Sequence, residues 1–231
     1  MKPPQPKKIP KIHTAHGDER IDDYYWLRDD TRKNPEVISY LEAENNYLES
    51  WFESKNDCRK EIYNELVNFI PPHEVSMKVK YGDYNYFSEI SSDQQYKTYY
   101  REINGNKELV LDVNQLAKDL DYFNVSSITP SPNNHYIAYA EDLSGRREYN
   151  IKIKNLETGQ IIDESIQRSS GSVVWNKNND TIYYALKDPI TLIENKVFKH
   201  KVGTDTKEDI LIYEEKDTEF HLHIFESRTK K

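Results

Sequence analysis

The sequence predicts a mainly β chain with a helical N-terminal part: two helices, then a partial β-propeller of about three blades. Three observations predict it. Apolar residues recur at helical spacing between residues 34 and 69. From His73 onward the texture changes to short β-prone runs parted by turn residues. One turn-plus-strand unit then repeats: Ser131-Pro132-Asn133-Asn134-His135-Tyr136-Ile137-Ala138-Tyr139-Ala140 is echoed by Asn176-Lys177-Asn178-Asn179-Asp180-Thr181-Ile182-Tyr183-Tyr184-Ala185, an offset of 45 positions (131 to 176). A period near 45 with about four strands per unit is what a propeller blade produces; a sandwich with coincidental spacing is the other pattern it fits.

Taken in order, residues 1–20 read as an extended arm, because Pro3, Pro4, Pro6 and Pro10 disfavour helix. Asn34-Pro35-Glu36 reads as a helix start, with Asn as cap, Pro in the first helical position and an acid in the first turn. Val37, Leu41, Glu44, Leu48 and Trp51 follow at spacings of four and three, so one largely apolar stripe faces a partner surface. A second helix is expected over Asp57–Phe69, with Ile62, Leu66 and Phe69 on one side, ended by Pro71-Pro72. This sets an N-terminal part over residues 1–72 and a propeller part over residues 73–231. The strand-like runs are Tyr81–Ile90, Tyr96–Ile103, Leu109–Val113, Tyr149–Asn155 before the turn Glu157-Thr158-Gly159, and Lys196–Lys201 before Gly203. His73 to Lys231 is 159 residues (231 − 73 + 1). At roughly 40–50 residues per blade that is about three and a half blades, short of the four to eight that close a propeller. Phe220–Phe225 reads as the first strand of a fourth blade.

Composition narrows the function classes. Of the 231 residues 36% are hydrophobic and 31% charged, while 12% aromatics, 18 tyrosines among them, argue against disorder. A net charge of −8 repels phosphate backbones and argues against nucleic acid as partner. Cys58 is the single cysteine, so neither an intrachain disulfide nor a cysteine-based zinc site is available. Met1–Lys11 is rich in Lys and Pro with no apolar core behind it, and no apolar run is long enough for a bilayer; a soluble, cytoplasmic protein without a membrane partner is the expectation. The two closest of seven glycines, Gly159 and Gly171, are 12 positions apart (159 to 171). A nucleophile elbow, a dinucleotide loop and a phosphate loop all need closer glycines, so no catalytic residue and no cofactor is predicted. His13-x-x-His16 beside Asp18 and Glu19 has metal-like content, yet no helix fixes both rings on one face, and the arm reading is preferred. His221 and His223 read as a solvated pair on a strand, with no third ligand near them.

The segment Gly17-Asp18-Glu19-Arg20-Ile21-Asp22-Asp23-Tyr24-Tyr25-Trp26-Leu27-Arg28-Asp29-Asp30 packs acids, aromatics and arginines into the approach to the first helix. It resembles the N-terminal signature of the prolyl oligopeptidase family of serine peptidases, in its oligopeptidase B branch. Glu141-Asp142-Leu143-Ser144-Gly145-Arg146-Arg147-Glu148-Tyr149, Asn155-Leu156-Glu157-Thr158-Gly159 and Asp209-Ile210-Leu211-Ile212-Tyr213-Glu214-Glu215-Lys216-Asp217 resemble the same branch, so the likeness runs from about residue 9 to about residue 220. The resemblance implies a seven-bladed propeller type, N-terminal helices that wrap a hydrolase domain, and cleavage of short peptides after Lys or Arg by a Ser-Asp-His triad placed beyond Lys231. It makes Tyr25, Trp26 and Arg28 candidates for interdomain contact, with a local helix-entry staple as the alternative. It makes Arg146 and Arg147 candidates at the propeller rim, pairing with acids of the catalytic domain, with a solvated turn as the equal alternative. The expected partner is the missing C-terminal hydrolase part or a complementary chain, and the chain alone is expected to hydrolyse nothing. The alternatives are a non-enzymatic half-propeller that binds peptides or proteins, and a frameshifted relic.

Overall fold

The structure, a computed structural model, describes residues 2–227. The chain forms two compact units, Met1–Pro71 and Pro72–Lys231.

In the first unit β1 (Lys11–Ala15) and β2 (Asp18–Asp22) pair antiparallel, Lys11 opposite Asp22 and Ala15 opposite Asp18. The expected arm is therefore a hairpin over these residues. Its two-residue turn is His16-Gly17, with φ of 53° and 80°, the left-handed pair that suits the twist of adjoining strands. A 3₁₀ turn, Tyr25–Leu27, leads to α1 (Pro35–Glu53) and α2 (Asn56–Asn68). Asn34 caps α1 as expected: its side chain accepts from the Glu36 amide at 3.0 Å, with Pro35 behind it. The loop before the cap is held by Asp29, whose carboxylate accepts from the amides of Thr31, Lys33 and Asn34 at 3.1, 2.7 and 2.6 Å.

The second unit is mainly β. Its strands are β3 (His73–Val75), β4 (Val79–Tyr81), β5 (Tyr84–Ser91), β6 (Thr98–Ile103), β7 (Asn106–Asp112), β8 (Asn124–Pro130), β9 (Tyr136–Asp142), β10 (Tyr149–Asn155), β11 (Ile161–Trp175), β12 (Thr181–Lys187), β13 (Glu194–Lys201) and β14 (Ile210–Glu214), with one short helix, α3 (Val113–Leu116), after β7. The first sheet runs β3-β5-β6-β7, and β4 adds to the other end of β5. The second runs β8 to β14 in sequence order as seven strands. It is two blades sharing one long strand. The first part of β11 pairs with β10 (Ile166 opposite Ile151), and the last part pairs with β12 (Trp175 opposite Ile182). Between them Gly171 sits at φ 92°, where a side chain's Cβ would come within 2.9 Å of the Tyr149 ring. The result, among the described residues, is three blades in a propeller that is not closed, as the 45-residue period predicts: the first has five strands, because β3 and β4 share one edge of β5, and the other two have four each, counting β11 in both. Phe220–Phe225 forms no strand, so the expected fourth blade does not begin within the described residues.

Core and seam coincide. Ile137 and Tyr139 of β9 pack with Val110, Leu111, Val113 and Phe123 between the first and second blades. Ala138 and Ala140, on the other face of the same strand, pack with Ile151, Ile153, Ile166, Trp175, Ile182 and Tyr184 between the second and third. Strand β9 is buried on both faces because a blade lies on each side of it.

Candidate functional site

The sequence-predicted contact residues fall into two groups, one in each unit. In the first unit Tyr25 lies under the Lys11 ammonium, 3.2 Å from its ring centre, and against the His13 ring at 4.8 Å. Trp26 donates from Nε1 to the Lys7 carbonyl at 2.8 Å and meets the Tyr40 ring edge-on at 6.2 Å. Arg28 is exposed and donates from Nε to Asp30 at 3.1 Å, and that hydrogen bond raises its pKa. The aromatic pair thus fastens the arm to the start of α1, while Arg28 faces solvent.

The helices beyond this segment bury little. Val37 is the one buried apolar residue of the unit among the described residues. The rest of the expected α1 stripe, Leu41, Leu48 and Trp51, stays about half exposed at 52%, 49% and 48%. On α2, Ile62 and Leu66 are exposed as well, as is Phe69 just past its end. These stripes leave apolar surface uncovered among the described residues.

In the second unit Arg146 and Arg147 lie in the turn between β9 and β10, both exposed. The turn is organised from below by Asp142, which is 1% exposed. Its carboxylate accepts from the amides of Ser144, Gly145 and Arg147 at 2.8, 3.1 and 2.8 Å. Burial pushes that carboxyl up, but these bonds outweigh it and the net pKa is lowered. Arg147 takes a positive φ of 58°, and its carbonyl accepts from Lys187 of the third blade at 2.9 Å. The turn therefore presents two guanidinium groups from a fixed backbone.

Polar side chains stitch the blade seams. Asn134 and Asn179, equivalent in the repeat, have φ of 60° and 65°, and Gly82 before β5 has 59°. Each asparagine reaches back one blade. Asn134 accepts from the Tyr86 hydroxyl at 2.9 Å, and Asn179 accepts from the Asn133 amide at 2.8 Å. The Asn134 carbonyl accepts from Arg101, and Trp175 donates to the Thr129 carbonyl at 3.0 Å.

One buried cluster escaped the sequence reading: His200, 0% exposed, lies between Asp163 and Asp209. A signal exists, since Phe198 and His200 share one face of β13 and Phe198 packs against the core, placing a histidine in the core register. Both ring nitrogens face carboxylates, so the ring offers no lone pair to a nucleophile. No group of three His, Cys, Asp or Glu side chains among the described residues is arranged to hold a metal. His13 packs on Tyr25 while His16 sits in the exposed hairpin turn, and His223 lies 3.6 Å from Glu194. No helix of the described residues is long and apolar enough to cross a membrane.

Antiparallel blades stitched turn to turn define the class: an open β-propeller unit with an N-terminal helical arm. The chain belongs to the prolyl oligopeptidase family: the model of that family's N-terminal β-propeller domain matches residues 3–231. It is 35% identical to Protease 2 of Moraxella lacunata, covering 100% of this chain and 34% of that protein. It is 34% identical to dipeptidyl aminopeptidase BI of Pseudoxanthomonas mexicana, covering 99% of this chain and 34% of that protein. Among solved structures, oligopeptidase B from Leishmania major superposes with a TM-score of 0.89 at 29% identity, over 98% of this chain and 34% of that one. The chain spans about a third, 34%, of the length of the curated relatives it matches.

Proposed function

We propose that this chain is the N-terminal arm and first propeller blades of an oligopeptidase B-like serine peptidase that cleaves short peptides after Lys or Arg. In this reading the Ser-Asp-His triad lies in a hydrolase part outside these residues, and the chain alone hydrolyses nothing. The observation that carries the reading is the end-to-end match of the chain to about a third, 34%, of two peptidase relatives. The uncovered apolar stripes of α1 and α2 support it.

In the assembled enzyme the propeller acts as a steric gate that admits short peptides and keeps bulk water from the chemistry. Tyr25, Trp26 and Arg28 brace the arm against the hydrolase part, and Arg146 and Arg147 steer closure by pairing with its acids. Reading the transcript past the Lys231 codon tests the assignment. A following frame with further blades and a Gly-x-Ser-x-Gly elbow supports it; a frame with neither overturns it. The pure chain should leave an Arg-containing reporter peptide intact, and cleavage by it would overturn the claim of inactivity.

The exposed edge strand β14, with Ile210, Leu211, Ile212 and Tyr213 all about half exposed, favours a second reading, a half-propeller that binds peptides at its open edge. A monomeric chain with one cooperative unfolding transition favours that module. Aggregation rescued by a complementary C-terminal piece favours the peptidase.

A further inference from the structure

The geometry points to a conformational device: Asp163, His200 and Asp209 form a pH-sensitive latch that fastens the outer strand of the second blade to the third and releases it when the His200 ring loses a proton.

The charge state follows from the hydrogen bonds. His200 Nε2 lies 2.8 Å from Asp163 Oδ2, and Nδ1 lies 2.6 Å from Asp209 Oδ1. Ionised carboxylates only accept, so both ring nitrogens must donate, and only the imidazolium has both protons. The carboxylates are engaged by other donors too. Asp163 accepts from the Gly203 amide at 2.5 Å and from the Ser165 amide and hydroxyl at 3.0 and 2.8 Å. Asp209 accepts from the Tyr184 hydroxyl at 2.7 Å. The titratable groups facing the ring or its carboxylates are thus Asp163 from β11, Asp209 before β14 and Tyr184 from β12.

The position makes this a latch and not a local brace. Asp163 belongs to the part of β11 that pairs with β10, opposite Ile153, and so to the second blade. His200 and Gly203 belong to the third. Two bonds to one carboxylate therefore cross the seam. A cleft of 370 Å³ lined by Ile161, Ile162, Asp163, Glu164, Ser165, Gly203 and Thr204 opens beside it, a path for water once the bonds break. A neutral ring donates one proton, so one buried carboxylate then faces a ring lone pair and the charge-assisted bond there is lost, even though its other donors stay in place.

The sign follows from the two shifts. Burial pushes the His200 pKa down, but Asp163 and then Asp209 outweigh it and hold it above 6.5. Its contribution is full below 6.5 and is lost as pH rises through the folded value. Burial raises the Asp163 carboxyl, but His200, Gly203 and Ser165 bring it down to about 2. Its contribution is full above 3.8 and is lost as pH falls toward about 2. The latch is tightest between those two limits.

The test uses the whole chain with ¹⁵N-labelled histidine. The buried ring should show two exchange-protected N–H signals at pH 6 and lose one as pH rises. In the same interval the amides of residues 161–167 and 199–209 should lose protection, by about tenfold for each unit the ring pKa is raised, after correction for intrinsic base catalysis, while residues 136–142 hold theirs. His200→Gln should make seam protection low and independent of pH. The wild-type measurement stands even where that variant fails to fold. A single N–H on the ring at pH 6, or seam protection unchanged while the ring titrates, overturns the latch. None of these outcomes depends on the peptidase reading.

Discussion

The two units obey the same local rules and reach opposite ends. In the propeller unit Ile137, Ala138, Ile151, Ile153, Ile166 and Ile182 are all at or below 2% exposure. In the helical unit the apolar stripes are in place at their expected spacing, yet Val37 alone is buried among the described residues. A blade is partnered by the next repeat of its own kind, so repetition supplies its core. An amphipathic helix carries no such partner in its own period, and most of its stability comes from the surface it packs on. The contrast shows which part of the chain finds a core in its own repeats and which leaves its apolar stripes uncovered among the described residues.

The largest expected effect sharpens that contrast. Ile182→Ala at the seam should destabilise the propeller by about 2–5 kcal/mol in urea unfolding, while Leu66→Ala on α2 should stay within about 0.5 kcal/mol. Equal losses would break the comparison. Gly171→Ala comes next: a left-handed φ and a Cβ against Tyr149 should cost about 2–3 kcal/mol, against about 1 kcal/mol at Gly105, whose φ is 81° with nothing within 4 Å. Asn34→Ala should cost about 1 kcal/mol of helix stability, read as lost helical ellipticity. The smallest effect concerns Asp29, brought down to about 2 by the Thr31 hydroxyl first and then by backbone amides. Protection of the Thr31, Lys33 and Asn34 amides should be full above 3.8 and fade as pH falls toward about 2. Fading only above neutrality would contradict that cap.

Legibility in the sequence tracked how local the cause is. The α1 start was readable because Asn-Pro-Glu carries its own physics, and β10 ran over the expected Tyr149–Asn155 because Ile151 and Ile153 alternate with Lys152 and Lys154. The hairpin over Lys11–Asp22 is hard to see in the sequence, because four prolines precede it and its left-handed turn is His16-Gly17, without the Asn-Gly or Asp-Gly pair that usually marks one. Phe220–Phe225 has strand-like composition, but pairing and not composition makes a strand, and Phe225 remains 81% exposed. The Asp163–His200–Asp209 cluster spans 47 positions (163 to 209), and no local pattern brings its members together. Tyr25 and Trp26 are candidates for interdomain contact in the sequence; the contacts they make within their own unit, Tyr25 with Lys11 and His13 and Trp26 with Lys7 and Tyr40, carry no local pattern that would announce them.

Native-state hydrogen exchange of the chain by itself tests the central claim most directly. The account predicts that amides of α1 and α2 exchange through local openings of low free energy, while those of β9, β10 and β12 exchange only with global unfolding. Helical amides as protected as those three strands would mean that the N-terminal unit is stable without a partner, and would contradict the docking account.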